Sequence, residues 1–147
     1  MNRFVCKVLV CGAGIAFVAT ASALPPLPPY VEAYYSAHPQ YAKYAQMYKG
    51  LEAEHKCDAC HKPGVDKKAK GHALNDYGQA VHKYFKHRDF NKADKLSKDK
   101  LGKNNPAEAA KAKQLIDEAL TKADAEKNAA GQTFGDLIKA GKLPGKN

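Results

Sequence analysis

Residues 57 to 61 read C-D-A-C-H, two thiols separated by two residues with an imidazole directly after the second. Three kinds of chemistry use such a set: two thioether bonds to a haem with the histidine on its iron, thiolate and imidazole ligation of zinc, or a reversible dithiol–disulfide pair that happens to precede a histidine. The first accounts for the spacing. Two intervening residues let one turn present both thiols to a porphyrin edge while the adjoining imidazole reaches the metal. Cys57 and Cys60 are therefore assigned to the thioethers and His61 to the proximal position on the iron. A zinc site would have to recruit two more ligands, such as His55 and His72, and a thioredoxin-like pair would call for a strand-rich α/β scaffold.

The start of the chain bears on that choice. Residues 1–23 carry Arg3 and Lys7, then the apolar run V-L-V-C-G-A-G-I-A-F-V-A-T, then A-S-A before Leu24, the three-part pattern of a secretory signal peptide. The apolar run is shorter than the roughly 20 residues of a spanning helix, so cleavage after Ala23 and no membrane span thereafter are expected. Export to the periplasm or an equivalent compartment follows. Of the 4 cysteines, Cys6 and Cys11 leave with that segment, so no long-range disulfide framework is expected in the mature protein. The net charge of +9, nearly all from lysine, suits an acidic partner, while the expected export and the lack of a recognisable binding motif disfavour nucleic acid, and none is expected as a partner.

The elements that must position the motif are expected to be helices, since no segment alternates with the period of two that a strand requires. Residues 24–38 form a Pro-rich spacer, L-P-P-L-P-P, and a short helix over about 30–37. Residues 39–147 form one domain. Pro39 opens a helix over 39–56 that puts Tyr41, Tyr44, Tyr48 and Leu51 on one face, with Met47 nearby, and leads into Cys57. K-P-G-V-D-K-K-A-K-G-H-A is a loop. A helix capped by Asn75 or Asp76 then carries Tyr77, Val81, Tyr84 and Phe85. The span Arg88 to Asn105 is expected to be polar and irregular. Pro106 opens an amphipathic helix with Ala112, Leu115, Ile116, Ala119, Leu120 and Ala123 as its stripe, and a short helix capped by Thr133 and stopped at Gly141 closes the chain.

On C-D-A-C-H, with a helix before it and helices after it, the chain resembles small monohaem c-type cytochromes over about residues 40 to 128. N-D-Y-G after the motif and T-F-G-D-L-I-K-A-G-K-L-P-G at the end are similar to a group of small exported C-x-x-C-H proteins. The resemblance implies an all-α, cytochrome c-like domain around one covalent haem c, working as a one-electron carrier and not as an enzyme. It also implies a methionine as second axial ligand, well downstream of the motif. None follows Cys60 here.

The second ligand is therefore open. Met47 and His72 are candidates, Met47 with core packing as its competing role and His72 as a loop residue that could bend over the haem. His82 and His87 lie off the apolar stripe and read as surface residues, His55 is too close to the attachment turn, and His38 flanks a helix start. A vacant sixth position would instead suit a small-ligand binder or sensor, and a zinc-stabilised helical interaction module is the remaining alternative. Lys56, Lys62, Lys67, Lys68 and Lys70 flank the motif and would steer an acidic redox partner to its edge. The tyrosines before the motif are expected to wall the haem pocket with their hydroxyls in water, and K-L-P-G is expected to be a simple helix stop.

Overall fold

In the computed structural model, residues 27–65, 73–98 and 105–145 are described. They are all-α, as the sequence predicts. The helices are α1 (Pro28–Ser36), α2 (Ala42–Gly50), α3 (Ala53–Lys56), α4 (Asp76–Tyr84), α5 (His87–Lys98), α6 (Pro106–Ala125) and α7 (Phe134–Lys139), with 3-10 turns at Pro39–Tyr41 and Cys57–Ala59. The described residues contain no strand, only isolated bridges pairing His61 with Leu74 and Lys127 with Thr133. No helix among them is long and apolar enough to cross a membrane. The expected signal segment, His72, Lys67, Lys68 and Lys70 lie outside the described residues.

Helix α6 is the spine. Its Ala112, Ile116, Ala119, Leu120 and Ala123 are buried, and α1, α4, α5 and α7 all pack on it. Burial of Ile116 and Leu120 stabilises the fold by about 1.5–3 kcal/mol each. Small alanines between them let neighbouring helices approach. Asn105 and Thr133 cap α6 and α7 by accepting from the backbone N–H of Glu108 and Asp136, and Gly141, at φ +76°, supplies the left-handed residue that ends the chain's last helix region.

Three elements differ from expectation. Pro28 and Pro29 belong to the first turn of α1 rather than to an extended spacer, because a proline there loses no intrahelical hydrogen bond. The expected helix 39–56 is broken, since Leu51 turns extended (ψ 143°) directly after the weak helix former Gly50. Most of the span expected to be irregular is α5. Its tertiary contacts explain why: Phe90 and Ala93 are buried, Phe90 meets Tyr30 edge-on at 5.2 Å, and Tyr30 donates a 2.6 Å hydrogen bond to Asp94.

The tyrosines also behave differently. Tyr35, Tyr44, Tyr48 and Tyr77 are buried, and two of their hydroxyls converge on a carboxyl rather than on water. The Tyr35 and Tyr77 hydroxyls lie against each other, and both donate to Asp124 Oδ1, at 2.9 and 2.8 Å. Asp124 Oδ2 is buried with no hydrogen-bond partner among the described residues. Burial outweighs the hydrogen bonds from Tyr77, Tyr35 and Tyr41 and raises the carboxyl from 3.8 to about 6.

Folding therefore takes up a proton at Asp124 between those values. This contribution to stability is fully present below pH 3.8 and is lost as pH rises through about 6. The expected outcome is that Asp124→Asn, compared with the parent by chemical denaturation from pH 4 to 7, removes a fall in stability on the order of 2–3 kcal/mol. Identical pH profiles for the two proteins would contradict the assignment.

Candidate functional site

The segment that carries C-D-A-C-H has little local reason to hold one shape. Helix α3 has only four residues, and Cys57–Ala59 is a single 3-10 turn closed by Cys60 N–H and His61 N–H donating to the Cys57 carbonyl at 3.1 and 2.9 Å. The turn is fixed from outside. Asn75, only 4% exposed, donates from Nδ2 to the carbonyls of Asp58 (3.0 Å), Ala59 (3.2 Å) and His61 (3.2 Å). Its Oδ1 accepts from Gly78 N–H at 2.8 Å as the N-cap of α4, and its own N–H donates to the Cys60 carbonyl at 3.0 Å. One side chain thus starts α4 and shares its two amide N–H groups among three carbonyls of the C-D-A-C-H turn. Lys62 N–H also donates to the Ala73 carbonyl at 2.8 Å.

Close approach completes the clamp. A Cβ on Gly78 would stand 1.9 Å from the Cys60 carbonyl oxygen, so α4 lies against the turn at a distance only glycine permits. A Cβ on Gly145 would likewise strike the Asn75 amide at 1.9 Å, and the preceding Pro144 is fully buried. The terminal L-P-G is therefore a cover over Asn75, beyond the simple helix stop that the sequence suggests.

Cys60 and His61 face a largely apolar cavity of about 230 Å³, lined also by Leu27, Leu74, Gly78, Val81 and Phe85 and by His82 and His87. Burial pushes the Cys60 thiol up to about 12, with proximity to Cys57 and Asp124 adding to the effect. At neutral pH it is a protonated thiol. Cys57 is half-buried and does not line the cavity; its Sγ lies 3.9 Å from the Ala53 carbonyl.

Other sequence candidates fall elsewhere. Met47 is partly buried against the aromatic core and is not among the cavity's walls. His38 Nδ1 pairs with the Tyr34 carbonyl (2.7 Å), and His55 with Asp58 (3.1 Å). The tyrosines likewise do not line this cavity. Lys56 is held by Glu32 at 2.8 Å, whereas Lys62 is exposed. His82 and His87 are the residues that periodicity missed: the backbone leaves its helix at Phe85, and that bend brings the start of α5 beside the end of α4.

Comparison with protein-family models, with curated proteins and with solved structures finds no match for this chain.

The clamp makes a direct expectation. Gly78→Ala must displace either α4 or the Cys60 carbonyl and should lower stability by about 2–3 kcal/mol in denaturant titration. Gly50→Ala meets nothing within 4 Å and serves as the control; it should change stability by less than about 0.5 kcal/mol. Equal behaviour of the two variants would show that the approach at Gly78 is not tight.

Proposed function

We propose that this chain is a monohaem c-type cytochrome that carries single electrons in an exported compartment. The observation that supports this most is the C-D-A-C-H turn, pinned by Asn75 so that Cys60 and His61 face an apolar cavity with further imidazoles in its lining. The donor set suits a haem: two thiols at the attachment spacing, an adjoining imidazole and flat apolar walls. At about 230 Å³ the cavity would enclose part of such a group, with the thioethers tethering it.

The competing chemistries find less support. Ligand atoms of Cys57, Cys60 and His61 do not gather as a metal cluster; among the described residues the group that does is Glu52, Glu54 and His55, all exposed. A thioredoxin-like dithiol calls for a strand-rich scaffold, and the described residues contain helices and no strand.

In this reading Cys57 and Cys60 would hold the haem, and His61 would bind its iron. The haem supplies the one-electron couple. Asn75 fixes the backbone on which all three ligating residues sit, and Leu74, Val81 and Phe85 keep water from that side of the site. Lys62, with the lysines that follow it in sequence, supports an acidic docking partner whose association weakens with salt.

The test is to produce the mature chain in cells with haem-attachment machinery, denature it and extract with acidic acetone. Haem should stay with the parent polypeptide and be extracted completely from the double variant Cys57→Ala, Cys60→Ala. A colourless parent protein, alongside a control cytochrome matured in the same cells, would overturn the proposal.

A further inference from the structure

The haem reading leaves the iron's second axial position unassigned, and the cavity lining offers two imidazoles that the sequence pattern places on the surface. They are not equivalent. His82 is exposed on α4. His87 is half-buried at the first residue of α5, its ring edge-on to Phe85 at 5.5 Å between centroids, and its Nε2 is buried.

We propose that His87 is the second axial ligand, through Nε2, to the iron that His61 holds. This rests on the haem reading above. Orientation supports it: one helical turn on, Asn91 places its amide nitrogen Nδ2 2.8 Å from His87 Nδ1 and leaves its oxygen buried without a hydrogen bond, a placement that a half-turn of the amide reverses. With the oxygen turned to His87, Asn91 accepts from His87 Nδ1–H, which fixes the tautomer whose Nε2 lone pair is available to a metal. An outer hydrogen bond of this kind is the usual support for a ligating histidine. His82 is exposed where His87 is half-buried, and Met47 is not among the residues that line the cavity.

The consequence is a six-coordinate, low-spin iron with two imidazoles, which sets a lower potential than histidine–methionine ligation and makes the protein an electron carrier rather than a ligand binder.

The experiment uses the full haem-loaded chain and reads electron paramagnetic resonance, the visible spectrum and carbon monoxide binding. The parent should be low-spin in both oxidation states. His87→Ala should become high-spin when reduced and bind carbon monoxide readily, and added imidazole should restore the low-spin spectrum; His82→Ala should match the parent. His87→Met should remain low-spin with a raised midpoint potential, a readout that does not depend on the alanine variant folding well. Asn91→Ala should keep the low-spin state and shift the potential upward. A low-spin His87→Ala, a high-spin parent, or conversion by His82→Ala alone would each overturn the assignment while leaving the haem in place. A protein that takes up no haem would overturn it together with the reading on which it rests.

Discussion

The side chain of Asn75 is the constraint on which the rest of the site depends. A five-residue motif between a one-turn helix and a lysine-rich stretch of sequence has no regular hydrogen-bond ladder of its own. Its carbonyls need donors, and the two N–H groups of one amide are shared among those of Asp58, Ala59 and His61 while its oxygen caps α4. Leaving a buried carbonyl unpaired costs about 1–3 kcal/mol, so removing the amide would disturb several groups at once. Gly78 and Gly145 then let α4 and the chain terminus close on either side of it.

That arrangement links the motif to the core. Tyr77 lies between Asp76 and Gly78 on the first turn of α4, and its hydroxyl reaches Asp124 on α6. The same turn of helix therefore holds the C-D-A-C-H backbone on one side and the aromatic interior on the other. A buried acid between tyrosines is an expensive anchor. Its retention of a proton up to about pH 6 is the physical compromise that keeps a carboxyl there.

Much of this was legible in the residues. The amphipathic stripe of α6, the Thr133 cap and the candidate capping residue Asn75 followed from periodicity and side-chain chemistry, and all three are present. What the sequence hid was tertiary. α5 has a mostly polar face pattern, and its helix is held by the contacts of Phe90 and Asp94 with Tyr30, which no local window contains. His87 looked like a surface residue because a single continuous helix was read through Phe85; the bend there changes which direction it faces. The tyrosine hydroxyls looked solvated because Asp124, far along the chain, sits on the polar edge of a helical stripe. The triple role of Asn75 was equally out of reach, since three carbonyls at one amide are a property of the folded turn.

The central claim is that the pinned turn presents Cys60 and His61 to the cavity formed by Leu74, Val81 and Phe85. Comparing nuclear magnetic resonance shifts of the haem-loaded protein in its paramagnetic oxidised and diamagnetic reduced states tests it most directly. The account expects the largest iron-induced shifts at Leu74, Gly78, Val81 and Phe85. Largest shifts instead at Pro28, Ala33 and Ala53, which line a separate groove on the Cys57 side of the turn, with Val81 and Phe85 unmoved, would contradict it.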